Sequence, residues 1–349
     1  TLYGTVGRGY NMKVALEKIS LGLPPILEKS LFVKRIPVLG ARFPSSALKG
    51  ILALDKEKTN IPFLTIPRIK PIIPDPLNDP KVRCILLDVQ REDELDKTII
   101  DFMRENNLID HIHHQVILDY DYWGYDEILN ACLPDNITVP SGFEIVGHIA
   151  HLNLQEEHDP FKYIIGQVIL DKTPSLKTVV CKDGVIDSVF RFFKMQLLAG
   201  LDDYRVTVKQ GDFKFQFDYS KVYWNSRLQH EHDRIIQTYI HPGNLVFDVF
   251  AGVGPFAIPA VRKGALVYAN DLNPSAYEAL EQNARLNKVN MNGFKTFNMD
   301  GQDFIRHVKE LYVVKDRECH FIMNLPALAA SFCSVFSEDL YADSDYDNI

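Results

Sequence analysis

The sequence contains no C-x-x-C pair; its five cysteines, Cys84, Cys132, Cys181, Cys319 and Cys333, are scattered over 349 residues. Scattered thiols in a chain this long point to a reducing compartment and argue against a zinc knuckle. No apolar run reaches the roughly 18–20 residues that a membrane-spanning helix needs, so no membrane partner is expected. No internal repeat is visible. The chain begins at Thr1 without a Met. The expectation is therefore a trimmed start with no legible targeting signal. An excess of positive charge is missing too. The net charge is −8, whereas nucleic-acid binders are usually basic. The deficit is local, however. Glu338, Asp339, Asp343, Asp345 and Asp347 supply −5 of it and leave −3 for everything before residue 332. Residues 191–240 hold eight Lys and Arg against six Asp and Glu, a mildly basic centre.

What is present is a chain rich enough in apolar residues, 46%, to bury a large core in two or three domains. Residues 1–40 are weakly patterned and read as a loose arm. Residues 61–80 hold six prolines and read as an extended connector. Val82–Asp88 and Val116–Tyr120 read as strands around a helix at 91–107, a small α+β unit. Pro134 and Pro140 mark its end. From 143 to 220, short apolar runs alternate with turn residues. Candidate strands are Glu144–Ala150, Tyr163–Leu170, Thr178–Cys181 and Arg205–Gln210, with Lys182-Asp183-Gly184 as a turn. Phe213, Phe215 and Phe217 alternate along a further strand, Phe213–Asp218, so one face of it is buried. After 241 the rhythm becomes strand–helix–strand: Asn244–Phe250, Pro255–Lys263, Ala265–Asn270, a helix capped by Asn273 with Pro274 first, Phe294–Asn298, Gln302–Lys309 and His320–Asn324. That alternation implies a parallel doubly wound sheet.

Phe247-Asp248-Val249-Phe250-Ala251-Gly252-Val253-Gly254 places an acid and two glycines at the carboxyl end of the first of these strands, where open α/β sheets bind ligands. Asp271 ends the next strand, where a carboxylate can accept hydrogen bonds from ribose hydroxyls. Asp300 follows the third, where an acid can meet an adenine amino group. Gly252 to Ala257 also fits the dinucleotide pattern G-x-G-x-x-A, which leaves a nicotinamide cofactor open. Asp248 before the glycines suits an ammonium better than a pyrophosphate, and Pro255 removes an amide that a phosphate would use. S-adenosylmethionine is the favoured ligand. Asn324-Leu325-Pro326 closes the fourth strand and can offer carbonyls and an amide to a flat base.

With Gly147–Leu154, Val189–Met195 and Val222–Leu228 added to these motifs, the chain resembles the eukaryotic Trm5-type tRNA (guanine-37, N1)-methyltransferases over roughly residues 35–330. The resemblance implies three parts: a tRNA-recognition domain with its leading arm at 1–135, a middle domain at 136–236 and a class I Rossmann-like methyltransferase domain at 237–349. It implies methyl transfer from S-adenosylmethionine to N1 of guanosine 37, beside the anticodon. Guanine N1 carries a proton and is a poor nucleophile, so transfer needs a base there and charge stabilisation at O6. By resemblance Glu231 is the base, Arg191 contacts the guanine, Tyr223 lies near donor or base, and Asn324 and Pro326 hold the base edge. The expected donor-binding residues are His232, Asp248, Phe250, Gly252, Gly254, Asp271, Leu272, Asp300, Gly301 and Asn324. His232 stands where the family is often basic, so a contact there is expected to be pH-sensitive.

His148 and His151 read as structural hydrogen-bonders. Tyr223-Trp224 reads alternatively as core. His111-Ile112-His113-His114 lacks an acidic or Cys partner at ligand spacing, so no metal is expected. A tRNA partner and a monomer are expected, acting by resemblance in cytoplasm, nucleus and mitochondrial matrix. After Pro326 the family continues with a helix and further strands, whereas this chain gives Ala327–Leu340 and an acidic tail. The expectation is an incomplete C-terminal sheet with an exposed edge and weakened donor binding. The alternatives are the aminocarboxypropyl transfer of the related wybutosine-pathway enzyme and a catalytically impaired tRNA-binding variant.

Overall fold

The computed structural model describes residues 26–53, 62–94, 97–105, 108, 110–182, 195–312 and 317–336. The chain divides into two compact units, Thr1–Val139 and Pro140–Ile349.

The first unit contains β1 (Lys34–Pro44), α1 (Leu48–Leu52), β2 (Ile72–Pro74), β3 (Val82–Leu87), α2 (Lys97–Glu105), β4 (Asp110–Leu118) and α3 (Tyr125–Cys132). Its sheet runs β2-β3-β1-β4, with β1 antiparallel to both β3 and β4. This corrects the reading of residues 1–40 as a loose arm, because Lys34–Gly40 opens a central strand. Pro37 disguised it. It falls where β1 pairs with β4 alone, before pairing with β3 begins at Leu39, so its missing N–H breaks no bond to β3. Leu39, Ala41, Phe43, Ile85 and Leu87 form the core beneath. The Arg42 guanidinium donates from Nε and Nη2 to the buried Asp75 at 2.8 and 2.9 Å, which holds that carboxyl down at about 2.

The second unit begins with β5 (Glu144–Val146), β6 (Ile149–Leu152), α4 (Lys162–Lys172), β7 (Thr178–Lys182) and β8 (Met195–Gly200), in sheet order β5-β6-β7-β8. Two sequence readings fail here. Glu144–Ala150 is not one strand but the start of a hairpin, broken at Gly147, whose φ of +61° reverses the chain. Tyr163–Leu170 is helix α4, not a strand. Its run is apolar on nearly every side, so neither period stands out. Topology decides: β6 and β7 pair in parallel, and parallel neighbours need a crossover. A side chain at Gly166 would place its Cβ 2.6 Å from Leu198 Cβ, so the glycine lets α4 lie close against β8. Of the expected turn at 182–184, residues 183 and 184 lie outside the described residues.

Next come β9 (Arg205–Gln210) and β10 (Phe213–Asp218), a hairpin. Phe215 and Phe217 are buried and pack on Trp224 at 5.6 and 5.1 Å between ring centres. Then α5 (Gln229–Tyr239), β11 (Leu245–Asp248), α6 (Ala257–Arg262), β12 (Leu266–Asn270), α7 (Pro274–Leu286), β13 (Phe294–Phe297), α8 (Gly301–Tyr312) and β14 (Cys319–Ile322) alternate. The strands form an all-parallel sheet in the order β13-β12-β11-β14. All four residues of β11 are buried, as a strand covered on both faces requires. Asn273 caps α7 as its sequence announces, its side chain accepting from the Ser275 amide. Asn283 on α7 and Asn287, which ends it, accept the Gln216 and Lys214 amides of β10 at 2.7 and 2.9 Å. These bonds seat the hairpin against α7, and hairpin and parallel sheet share one hydrophobic core.

Candidate active site

The carboxyl ends of β11, β12 and β13 are tied together by one side chain that the sequence reading overlooked. Asn270 is fully buried. Its Nδ2 donates to the carbonyls of Val249 and Met299, and its Oδ1 accepts the Met299 amide, all within 3.1 Å. The glycine loop leaves β11 from this anchor. Gly252 (φ +55°) and Gly254 (φ +101°) both sit in the left-handed region, but for different reasons. A Cβ at Gly254 would lie 2.8 Å from Ile258 and Leu280, so that glycine serves packing. A Cβ at Gly252 would meet nothing within 4 Å. The space above Gly252 is an open cradle.

Two carboxylates underlie this loop. Asp271 Oδ2 accepts the Gly252 amide at 2.8 Å and Oδ1 accepts the Asn273 amide at 2.9 Å. Each oxygen keeps lone-pair capacity for a hydroxyl. Burial raises the carboxyl's pKa, and the two amides work against that rise. Asp248 lies deeper. It is fully buried, and neither oxygen has a hydrogen-bond partner of good geometry, although the amides of Phe250 and Ala257 face it. Burial, then the nearby Asp271 charge, push it up to about 8. It is sealed beneath the loop.

The other expected donor residues gather at the same edge. Leu272 is exposed just past β12, and Asn298 donates to the Asp271 and Leu272 carbonyls at 2.7 and 3.0 Å. Asp300 is exposed and accepts the Gln302 amide, opening α8. A Cβ on Gly301 would lie 2.9 Å from the rings of Phe250 and Phe332, which meet edge to face.

A cavity of about 550 Å³ lies between α5 and β14. Glu231, His232, Arg234, Phe256, Met323 and Asn324 line it. Positions far apart in sequence, Glu231 and Asn324, thus face one space. β14 aligns Ile322 with Asp248 of β11, so Asn324 projects past the same strand ends as the glycine loop. Pro326 and Ala327 form the turn that follows, closed by the Leu328 amide donating to the Leu325 carbonyl at 3.2 Å. Ala327 has φ +65°, a conformation costing a non-glycine residue about 1–2 kcal/mol. Strain of this kind clusters at working sites.

His232 corrects one expectation. It is buried, with its ring edge against Phe256 at 4.5 Å. Nδ1 meets the Gln210 side chain at 3.1 Å, and Nε2 has no partner. Burial pushes its pKa down to about 4. It is therefore neutral across the physiological range, so a contact made by His232 would not be pH-sensitive there. Tyr223 is exposed, while its neighbour Trp224 is core. Arg191 lies outside the described residues.

Glu231 is exposed on the first turn of α5 and forms a two-point ion pair with Arg234 at 2.8 and 2.7 Å. The arginine holds its pKa below the usual carboxylate range. His148 Nε2 meets the Asp203 carbonyl, and His151 Nδ1 meets the Tyr219 hydroxyl at 3.1 Å. Both are structural contacts, as read from the sequence. Among the described residues, no three His, Cys, Asp or Glu side chains come together as a metal site.

A profile of the TRM5/TYW2 methyltransferase domain matches residues 206–340, and one of the TYW2 N-terminal domain matches residues 125–203. A tRNA (guanine(37)-N(1))-methyltransferase of Phytophthora infestans is 41% identical over 322 residues, covering 89% of this chain and 76% of the relative. The enzyme of that name from Schizosaccharomyces pombe is 43% identical, covering 90% and 78%; the human one is 40% identical, covering 84% of this chain and 64% of its own length. In fold, the chain is similar to the aTrm5–tRNALeu complex structure (TM-score 0.59, 22% identity, 85% of this chain and 82% of that one) and to Trm5b from Pyrococcus abyssi (TM-score 0.51, 24%, 85% and 79%).

Proposed function

Because the chain belongs to the TRM5/TYW2 methyltransferase family, we infer that it transfers a methyl group from S-adenosylmethionine to N1 of guanosine 37 in tRNA. The observation that carries the reading to this chain's own residues is the single cavity joining Glu231 and Asn324 beside Phe256, two residues after the glycine loop. The loop fits the donor. Gly252 leaves an open cradle, and carboxylates stand at the ends of three successive strands, at Asp248, Asp271 and Asp300.

When bound, S-adenosylmethionine supplies a methyl group already activated by its sulfonium. Asp271 and Asp300 would hold the ribose hydroxyls and the adenine amino group, Leu272 and Phe250 the faces of the adenine. Glu231 takes the N1 proton on a carboxylate oxygen. The Asn324 amide and the Pro326 turn fix the edge of the base. Arg191 stabilises charge at O6, and Tyr223 offers an exposed ring to the base; both assignments rest on the family resemblance. The same reading assigns tRNA recognition to 1–135, a middle domain to 136–236 and the donor domain to 237–349, in a protein that works as a monomer.

The match to a TYW2 N-terminal profile favours one competing reading, aminocarboxypropyl transfer from the same donor. Mass analysis of nucleosides after incubation with S-adenosylmethionine and tRNA separates the two. The expected product is methylguanosine. A product heavier by an aminocarboxypropyl group contradicts the proposal.

A further inference from the structure

A carboxylate that acts as a base must be ionised and aimed when its substrate arrives. Both conditions are hard to meet at a cavity wall. A base entering the cavity displaces water, and lost solvation favours the protonated acid. Apolar side chains stand among the polar ones that line the cavity with Glu231, among them Leu228, Ile235, Phe256 and Met323.

Arg234 answers both problems. It lies one helical turn beyond Glu231 on α5 and lines the same cavity. Its Nε donates to one carboxylate oxygen at 2.8 Å and its Nη2 to the other at 2.7 Å. This fork geometry fixes the plane of the carboxylate as well as its charge, which a lysine cannot do. The guanidinium is itself placed, 5.8 Å from the centre of the Tyr239 ring. Of the other titratable groups nearby, Tyr239 also lines the cavity and His232 adds a smaller electrostatic pull on Glu231. His232 and Asp233 are its neighbours on α5, and Cys319 and His320 face the cavity from β14. Lys263, before β12, donates to the Ile236 and Gln237 carbonyls. Among the described residues, Arg234 is the side chain that hydrogen-bonds the Glu231 carboxylate.

We propose that Arg234 is a positioning residue for methyl transfer: it clamps the Glu231 carboxylate at the cavity wall in the orientation and charge state a base requires. The proposal rests on the reading of Glu231 as that base.

The test is single-turnover transfer to guanosine-37 tRNA as a function of pH, for the natural protein, Arg234→Gln and Arg234→Lys, alongside carbon NMR titration of Glu231 without donor. Glutamine should move the acid limb of the profile up by about half a pH unit. It should also lower the plateau roughly 10-fold, with the KM for tRNA unchanged. Lysine should restore the limb but not the plateau, because it replaces the charge without the fork. The NMR titration should show the same upward shift for Glutamine alone, which keeps the proposal testable if that variant transfers too slowly to measure. An unmoved limb overturns the clamp. So does a raised KM with a weaker salt dependence, which would make Arg234 a phosphate contact. A natural protein that fails to methylate guanosine 37 overturns the underlying reading instead.

Discussion

Replacing Glu231 by Gln should slow methyl transfer by roughly 10²–10⁴-fold, the usual contribution of a positioned base, and leave donor affinity within about twofold. Glutamine keeps the shape and one acceptor for Arg234, and it loses the ability to take a proton. Glu231 is exposed, and exposed substitutions usually disturb stability by less than about 0.5 kcal/mol, so folding should not confound the result. The donor cradle lies on another element, the loop after β11. Single-turnover kinetics paired with calorimetric titration of S-adenosylmethionine reads both quantities. Unchanged turnover would remove Glu231 from the base role. Lost donor binding would place it in the donor site instead.

Asp248→Asn is expected to stabilise the free protein while weakening donor binding. The carboxyl is fully buried with no good partner, and its pKa is raised from 3.8 to about 8. The folded state thus keeps a proton that the unfolded chain releases near 3.8. Below that value the group costs nothing through ionisation. As the pH climbs from about 4 to 8 the unfolded state gains, and stability falls. Asparagine removes this slope. The expected gain is about 2 kcal/mol at pH 8, well under the full linkage value because buried pairs relax. A bound cationic donor would favour the ionised carboxyl, an option the same exchange removes, so donor affinity should drop by about tenfold or more. Thermal unfolding between pH 4.5 and 8, with calorimetry, checks both parts. A variant that is less stable at pH 8, or keeps the natural slope, counts against this account of Asp248. The pattern is a familiar one in which function is held at a cost in stability.

The parallel sheet was legible because its signals are local. Asn273-Pro274 announces a helix start, and the apolar strands β11 and β12 stand between turn residues. The glycine loop marks a strand end by itself. Elsewhere the signal was non-local. Tyr163–Leu170 reads as a strand until the parallel pairing of β6 and β7 demands a crossover. Lys34–Gly40 reads as a loose arm until β3 and β4 flank it. Asn270 shows no motif at all, since its importance lies in carbonyl and amide partners just past the ends of β11 and β13. His232 looked like a titratable contact because sequence carries no burial. Arg234, by contrast, was within reach: Glu231 and Arg234 are three apart on a helix, a spacing that places side chains side by side.

The most direct test of the central claim is methyl incorporation from labelled S-adenosylmethionine into two tRNA transcripts that differ only at position 37. The expected result is N1-methylguanosine in the guanosine-37 transcript and background label in the adenosine-37 transcript. Equal labelling of both, or label in neither, would contradict it.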